Sequence, residues 1–192
     1  TQADPSAAAR ARQRLPEWPF QRRAPEHIEE RRLVQAVLMA NEVVFSYAAD
    51  RPEFQGMGTT VVGAYFVERG MYLVHIGDSR AYLLRDGQLR RVTRDHSLAD
   101  EYLAMGILKQ EELEYFPYKN VVTRALGLAE TVEPEVSFMT IRSGDLFVFC
   151  SDGLSDPLSD QDIHGLIDEH GGDLSKTCRA LIDAANSAGG PD

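Results

Sequence analysis

The stretch TTVVGAYFVERGMYLVHIGDSRAYLLRDG, residues 59–87, decides the fold. It contains three runs rich in Val, Tyr, Leu and Ile, at residues 59–67, 71–78 and 81–85. Short turns separate these runs, Glu-Arg-Gly after the first and Asp-Gly after the third. Apolar runs of this length with turns this short predict antiparallel strands that are linked by hairpins.

The apolar character of the first run indicates how the sheet is covered. Residues 61–67, Val-Val-Gly-Ala-Tyr-Phe-Val, do not alternate between apolar and polar side chains as a strand with one wet face does. Both faces of the sheet are therefore expected to be covered. Two packed antiparallel sheets with helices outside meet this requirement, so the sequence predicts an α+β fold, a four-layer helix/sheet/sheet/helix sandwich.

Helical periodicity is found on both sides of the strand region. Apolar side chains recur at helical spacing over about residues 26–49, and again over 159–170 and 174–188. Ser159 with Asp162 three positions later predicts an N-terminal cap. The other predicted elements are short surface helices within 97–118 and strands near Val121, over 136–141 and over 145–150.

The length of 192 residues fits a single domain. Residues 1–25 contain four prolines among Ala, Arg and Gln, without sustained periodicity. This composition is typical of a linker or a flexible remnant. Residues 26–192 carry the periodic segments and are expected to form the folded domain.

Charge and hydropathy exclude several classes of function. Thirty acidic against twenty basic residues give a formal net charge of −10, so no nucleic-acid partner is expected. The longest nearly apolar runs, 61–67 and 71–76, are far shorter than the roughly 20 residues that span a bilayer, so no membrane span is expected. We expect no secretory signal, and Cys150 and Cys178 predict two reduced, buried thiols. A cytoplasmic location follows.

Four aspartates stand at or beside the ends of apolar segments, namely Asp78, Asp95, Asp152 and Asp192. A single carboxylate in such a place is more often a turn cap than a ligand. Converging carboxylates, in contrast, require protonation or a bridging cation, and oxygen ligands with few His or Cys select Mg²⁺ or Mn²⁺. The residues by themselves leave both interpretations open.

Six short motifs follow one another in order between residue 29 and residue 192. They are GMGTT at 56–60, GDSRA at 77–81, TRDHS at 93–97, VTRALG at 122–127, CSDGLSD at 150–156 and GGPD at 189–192. Their order and spacing resemble those of the metal-dependent protein serine/threonine phosphatases, the protein phosphatase 2C family, in its bacterial form. Any one motif is weak evidence, whereas six in order are specific.

The resemblance implies roles for individual residues of these motifs. Asp152 corresponds to a ligand that metal ions share, Asp192 to a ligand of the catalytic pair, and Asp95 to a ligand of a third ion. The implied cofactors are two to three Mn²⁺ or Mg²⁺ ions. Asp78 and Arg80 correspond to supports of the strand turn rather than to ligands.

Two histidines accompany the same motifs. His96 directly follows Asp95, and we expect it to be a hydrogen-bonding neighbour rather than a group that transfers protons. His75 lies inside an apolar strand and is expected to be a core histidine with satisfied hydrogen bonds.

The resemblance also implies an activity. The chain is expected to be a hydrolase that removes phosphate from phosphoserine and phosphothreonine in proteins by metal-activated water. Its partners would be phosphorylated proteins, the products of a serine/threonine kinase in cytoplasmic signalling. The segment from Ser97 to Lys119, which includes Leu103 and Leu113, corresponds to the family's variable flap, which is thought to influence substrate choice.

The sequence departs from the family pattern at both ends. Before Glu29 we find neither the family's phosphate-binding Arg, nor its first Asp, nor its Asp-Gly metal motif. The family's strand after the terminal Asp is not found either, so residues 26–192 are expected to be a partial phosphatase 2C-like domain whose N-terminal catalytic residues are unknown. The alternative interpretation is a catalytically impaired phosphatase-fold module for protein binding or sensing.

Overall fold

The computed structural model describes residues 20–21 and 27–190, which form helices and antiparallel strands. The helices are α1 (Ile28–Ala49), α2 (Leu98–Ala104), α3 (Asp152–Ser155), α4 (Asp160–His170) and α5 (Leu174–Ser187), with 3₁₀ turns at Pro52–Phe54 and Gln110–Tyr115. The strands are β1 (Phe20–Gln21), β2 (Val61–Val67), β3 (Gly70–Ile76), β4 (Arg80–Arg85), β5 (Gln88–Arg91), β6 (Glu135–Met139) and β7 (Leu146–Cys150). The predicted mixture of helices and antiparallel sheet is confirmed.

The strands form two sheets, with orders β1-β6-β3-β2 and β5-β4-β7. The predicted hairpins are present, since β2 pairs with β3 and β4 pairs with β5, both antiparallel. Asp86 and Gly87 connect β4 to β5 with φ angles of 53° and 72°. Positive φ at both central residues is what a two-residue hairpin favours, and Asp-Gly provides it.

A buried apolar layer joins the two sheets. Met71, Leu73 and Met139 of the first sheet pack with Ala81 and Leu83 of the second. Burial of each larger side chain contributes roughly 1.5–3 kcal/mol. β3 is the central contributor, because it lies between β2 and β6 and all of its residues are buried.

Helices pack against residues of each sheet. On the first sheet, Val37 of α1 packs against Val74 and Ile76. On the second sheet, Tyr82 of β4 packs with a group from α4 and α5, namely Ile163, Ile167, Leu181 and Ala185. The predicted cap of α4 is confirmed, since the side chains of Ser159 and Asp162 each accept from the other's backbone N–H.

The prediction that residues 61–67 are covered on both faces is wrong for part of β2. Tyr65 is 43% exposed and Phe66 is 57% exposed. Among the described strands it lies at the end of the sheet order and has a neighbour on one side only, so these strands leave its cover incomplete. The fully covered strand is β3, whose sequence Gly-Met-Tyr-Leu-Val-His-Ile is equally apolar.

Two smaller predictions are also wrong. No strand forms at Val121, where the described residues show only one isolated bridge, between Ser97 and Val122. Cys178 is exposed and Cys150 is half-buried, so the two thiols do not share the buried environment that was predicted. Cys178 follows the buried Thr177 on α5, and one helical position turns it about 100° away from the core.

Most of the predicted linker, residues 1–25, lies outside the described residues. The exception is Phe20–Gln21, which extends the first sheet by pairing with Met139 and Phe138 of β6. None of the helices in the described part of the chain combines the length and the hydrophobicity that crossing a bilayer requires.

Candidate metal centre

The turn between β3 and β4 builds the first wall of the site. Gly77 has φ of 103°, and a Cβ at this position would lie 2.3 Å from Cγ2 of Thr60, so the position requires glycine. The hydroxyl oxygens of Thr60 and Ser79 lie 2.8 Å apart and tie the turn to the start of β2. The turn presents Asp78 to a cavity at this end of the sheet.

The segment that follows β5 is fastened to this turn. The backbone N–H of His96 donates to the carbonyl of Gly77 at 2.8 Å, and the N–H of Gly77 donates to Nδ1 of His96 at 3.2 Å. The N–H of Ala81 donates to Oγ1 of Thr93 at 3.1 Å. These contacts fix the backbone on both sides of Asp95, and they confirm that His96 is a hydrogen-bonding neighbour.

The carboxylate of Asp95 is held by arginine. Arg80 donates from Nε to Oδ1 and Oδ2 at 3.1 and 3.0 Å, and from Nη2 to Oδ2 at 2.6 Å. Arg91 adds a longer contact to Oδ2 at 3.4 Å. Burial lowers the pKa of Arg80, but the hydrogen bonds and the charge of Asp95 outweigh it and the net shift is upward. Arg80 is therefore held as a cation against Asp95, whose side chain is only 6% exposed.

The short helix α3 supplies the opposite wall. It begins directly after β7 at Asp152, whose Oδ1 accepts from the N–H of Gly153 at 2.9 Å. The N–H of Asp156 donates to the carbonyl of Asp152 at 2.8 Å, which closes one helical turn. Residues four apart lie on one face of a helix, so both carboxylates point to the same side.

These walls enclose a cavity of about 210 Å³. The charged residues that line it are Asp78, Asp95, Asp100, Asp152 and Asp156, with Arg80 and Lys119 as the two cations. The cavity therefore carries a formal excess of three negative charges when all of these groups are ionised.

The electrostatics of the cavity reflect this excess. Loss of hydration raises the pKa of Asp78, and the charges of Asp152 and Asp95 raise it further. The pKa of Asp156 is raised by loss of hydration and then by Asp152, although Arg80 and Lys119 oppose the shift. Carboxylates that repel one another in this way gain stability from protons or from a bridging cation.

The donor set fits a hard divalent cation. Among the residues that the structure describes, none of Asp78, Asp152 and Asp156 forms an ion pair, in contrast to Asp95. Uncompensated carboxylate oxygens in a shared cavity are the ligands that Mg²⁺ and Mn²⁺ prefer. The type of donor atom, unpaired carboxylate oxygen, is therefore the observation that supports a divalent-ion site here.

Most of the site residues that the sequence singled out lie together. Asp95, Asp152, Ser97, Leu113 and Lys119 all line the cavity, whereas Leu103 does not. Asp192 lies outside the described residues. The predicted roles of these residues as ligands and as flap positions remain predictions.

Sequence reasoning missed Asp156 and Asp100 as members of the same cavity. The spacing of Asp152 and Asp156 in CSDGLSD was a usable signal, because two carboxylates four residues apart share a helix face. Asp100 had a weaker signal. It lies three residues after Ser97, whose hydroxyl caps α2 by accepting from the N–H of Asp100 at 3.2 Å.

A second group of candidate ligands includes His96, the residue that follows Asp95. Donor atoms of His75, His96 and Glu135 lie within 4.8 Å of one another. The N–H of Gly77 points at Nδ1 of His96, so a neutral His96 carries its proton on Nε2, which lies 3.4 Å from Glu135 Oε2. A protonated nitrogen has no lone pair for a metal ion, so this group is a poor metal site.

His75 differs from the core histidine that was predicted. It is 2% exposed, as expected, and its ring packs on that of His96 with centroids 4.7 Å apart. Neither ring nitrogen of His75 forms a hydrogen bond of good geometry with a described residue, although a contact with the backbone of Ser79 partly opposes the fall in its pKa, so the expectation of satisfied hydrogen bonds is wrong. Burial, and then the neighbouring His96, lower the pKa of His75 to about 4.

The segment that was predicted to be the flap lies beside the cavity, which its residues Ser97, Leu113 and Lys119 line. It contains α2 and the 3₁₀ turn, and the rings of Tyr102 and Phe116 pack with centroids 5.7 Å apart. Oγ1 of Thr123 donates to Glu101 at 2.8 Å and ties α2 to the segment after the flap. Several large apolar side chains of the flap are exposed, namely Met105, Ile107, Tyr115 and Tyr118.

The sequence matches the family model described as "Protein phosphatase 2C" over residues 5–192. Serine/threonine protein phosphatase PstP of Mycobacterium tuberculosis (strain ATCC 25618 / H37Rv) is 37% identical over 161 residues, which cover 84% of this chain and 31% of that protein. Serine/threonine phosphatase stp of Listeria monocytogenes serovar 1/2a (strain ATCC BAA-679 / EGD-e) is 34% identical over 162 residues, covering 84% of this chain and 63% of that protein. The chain thus spans less than two thirds of the length of either relative.

Solved structures agree with these matches. The crystal structure of the serine/threonine phosphatase PstP/Ppp of Mycobacterium tuberculosis superposes with a TM-score of 0.81 at 35% identity, over 89% of this chain and 72% of that one. A catalytic domain of PstP in complex with two manganese ions gives a TM-score of 0.77 at 34% identity, over 89% of this chain and 70% of that one.

Proposed function

The chain belongs to the protein phosphatase 2C family, and from that premise we propose that it hydrolyses phosphoserine and phosphothreonine in proteins. One observation carries the proposal. Four aspartates from three separate motifs, Asp78, Asp95, Asp152 and Asp156, line one cavity. The alternative of a catalytically impaired binding module has no support among the relatives named above.

The proposed metal ligands are Asp95, Asp152 and Asp192, for two to three Mn²⁺ or Mg²⁺ ions. Support comes from the uncompensated carboxylates of Asp152 and Asp156 and from a relative that binds two manganese ions. When bound, such ions supply Lewis acidity that lowers the pKa of water and neutralises phosphoryl oxygens. Asp78 and Asp156 face the same cavity and strengthen its attraction for cations.

The remaining residues of the cavity would bind and orient the substrate. Lys119 is an exposed cation at the cavity and offsets the local negative charge toward an incoming phosphate. We assign the flap from Ser97 to Lys119 to recognition of the polypeptide around the phosphoresidue. Its exposed apolar side chains, with Leu103 and Leu113 in its two short helical turns, offer a surface that a peptide can contact.

Four finer assignments complete the proposal. The three apolar clusters are the interfaces expected of a four-layer helix/sheet/sheet/helix sandwich. Residues 26–192 form the phosphatase-like domain, whose first sheet is extended by the strand Phe20–Gln21. The substrates are phosphoproteins made by a serine/threonine kinase, and the protein acts in cytoplasmic signalling.

Phosphate release from a phosphothreonine peptide, measured against Mn²⁺ concentration, tests this function. We expect Mn²⁺-dependent release by the wild type and a loss of at least tenfold in Asp152→Asn. Calorimetric titration of the same proteins should show weaker Mn²⁺ binding in the variant, because ligand charge sets affinity for hard cations. Asp168→Asn is the matched control, since this exposed aspartate lies on α4 away from the cavity. Unchanged affinity in Asp152→Asn would contradict the assignment of this ligand.

A further inference from the structure

Two arginine–aspartate pairs of the same chemistry stand at opposite ends of β4. Arg80 at its first residue binds Asp95, and Arg85 at its last residue binds Asp145, from Nε to Oδ1 at 2.8 Å and from Nη2 to Oδ2 at 2.6 Å. The aspartate side chains are 6% and 4% exposed. The two pairs differ in one respect, because only Arg80 and Asp95 line the acidic cavity.

The carboxylates of the cavity are therefore unequal. Asp95 accepts three hydrogen bonds from Arg80, and Arg91 contacts it as well, so its charge is compensated within the protein. Asp152 has no ion pair with a described residue, and its hydrogen-bond donor is the N–H of Gly153. A divalent ion gains the full attraction of Asp152 but has to share Asp95 with arginine.

Shared use of Asp95 has an electrostatic cost. The Nη2 of Arg80 lies 2.6 Å from Oδ2, and an Mg²⁺–oxygen bond is about 2.1 Å. Two cations on one oxygen are thus at most about 5 Å apart. Like charges at that separation repel one another, and they do so more strongly beside a carboxylate that is only 6% exposed than in bulk water.

We infer that Arg80 acts as a built-in cation that competes with the divalent ion at Asp95, so that this ion binds most weakly and loads last. The inference rests on the proposed function, because it takes Asp95 as a ligand. It makes Arg80 a positioning residue that sets the affinity of one ion position through Asp95. The occupancy of that position then follows the divalent-ion concentration, while the ion at Asp152 stays bound.

Titration with Mn²⁺, with free Mn²⁺ counted by electron paramagnetic resonance, tests the inference without any activity assay. In Arg80→Gln we expect the weakest Mn²⁺ site to bind at least tenfold more tightly than in the wild type. Arg80→Lys keeps the charge and should stay within threefold of the wild type. Arg85→Gln is the matched control, since it breaks an equivalent pair outside the cavity, and should leave Mn²⁺ affinity unchanged.

The increase in Mn²⁺ affinity that is expected in Arg80→Gln must also depend on Asp95. In the double variant Arg80→Gln/Asp95→Asn we expect the tightened site to disappear. No gain in Arg80→Gln, or an equal gain in Arg85→Gln, would overturn the inference. Thermal melts establish that each variant folds. If Arg80→Gln does not fold, Arg80→Met, which also removes the charge, takes its place in the same titration, and an unchanged weakest site in that variant overturns the inference.

The same titration separates this inference from the proposed function. A wild-type protein whose Mn²⁺ binding is insensitive to Asp152→Asn contradicts the proposed metal centre itself. Binding that depends on Asp152, together with an unchanged weakest site in Arg80→Gln, contradicts only the role of Arg80.

Discussion

Nη2 of Arg80 lies 2.6 Å from the carboxylate of Asp95, which joins the first residue of β4 to the segment that follows β5. The same strand ends at Arg85, which holds Asp145 in a similar two-nitrogen pair, at 2.8 Å from Nε and 2.6 Å from Nη2. One pair faces the acidic cavity and the other stabilises the fold away from it. The Arg85–Asp145 pair can therefore serve as a control for the Arg80–Asp95 pair, because only the latter lines the cavity.

Breaking the structural pair should destabilise the protein. We expect Asp145→Asn to lower the free energy of unfolding by about 3–5 kcal/mol, because it leaves the charge of Arg85 unpaired beside a buried partner. Hydrogen bonds from Arg85 lower the pKa of Asp145 in the folded state. The stability from this carboxylate is therefore full above its unfolded pKa, near 4, and is lost as pH falls through the folded value. Urea denaturation at pH 7 and pH 3 measures it.

In these measurements the difference between wild type and Asp145→Asn should shrink at the lower pH. Asp168→Asn, an exposed change on α4, serves as the control and should stay within about 0.5 kcal/mol. A difference that is the same at both pH values would contradict the role of the ionised pair.

Removing one negative charge from the cavity should raise stability in the absence of metal. The folded-state pKa of Asp156 is raised, so its ionised form costs stability above that pKa, and the cost disappears as pH falls through it. Asp156→Asn should therefore increase the free energy of unfolding at pH 7, by no more than about 0.5 kcal/mol because solvent screens this exposed carboxylate, while weakening Mn²⁺ binding. Thermal unfolding with a chelator and with Mn²⁺ measures both effects, and destabilisation in the chelator would contradict the repulsion.

His75 should be replaceable by a residue of similar size without loss of stability. A buried imidazole without hydrogen-bond partners costs free energy, so His75→Leu should stabilise the protein by about 1 kcal/mol or more. His96→Leu provides the contrast. It should destabilise, because it leaves the buried N–H of Gly77 without its acceptor. Urea denaturation of both variants at pH 7 distinguishes the two rings.

The pH dependence of His75 has a definite sign. Its pKa is about 4 in the folded protein against an unfolded value near 6.5, so the unfolded chain binds the proton more strongly between these values. Stability should fall with decreasing pH in this window, by up to about 1.4 kcal/mol per pH unit. His75→Leu should remove this part of the slope, and an unchanged slope would contradict the lowered pKa.

Local patterns were sufficient for most of the fold. The runs at 61–67 and 71–76 and the Asp-Gly turn predicted the hairpins, because strand composition and turn chemistry act over a few residues. The exposure of Tyr65 and Phe66 was not predictable in this way. It depends on which strand lies at the sheet edge, and that is decided by pairing between distant segments.

For the site, too, local sequence signals predicted some features, whereas contacts between distant segments were not predictable. The motifs identified Asp95 and Asp152, since short sequence signals mark strand ends. No spacing indicated that Arg80 would bind Asp95 fifteen residues later, because this contact depends on how the turn at Gly77 meets the segment after β5. Charge compensation is a property of such distant pairs, so the inequality of the carboxylates appears only in three dimensions.

The flap should affect protein substrates more than small ones. Replacing residues 103–113 by a Gly/Ser linker keeps Ser97, Asp95 and Lys119 but removes the end of α2, the segment that follows it and most of the 3₁₀ turn. A phosphoprotein contacts the protein beyond its phosphate, whereas an aryl phosphate has little to place against the flap. We expect turnover of the phosphoprotein to fall at least tenfold, about 1.4 kcal/mol of transition-state stabilisation, and turnover of the aryl phosphate to fall less than threefold.

Mn²⁺ titration of the linker variant is the control, because it shows whether the loss of turnover comes from weaker ion binding. Asp95 is anchored by Arg80 and by the bonds between His96 and Gly77, none of which lie in residues 103–113. Ion affinity should therefore stay within threefold of the wild type. Equal losses for both substrates, together with weakened Mn²⁺ binding, would mean that the flap supports the metal centre. Its assignment to substrate choice would then be wrong, because a segment that orders the ions affects every phosphate ester alike.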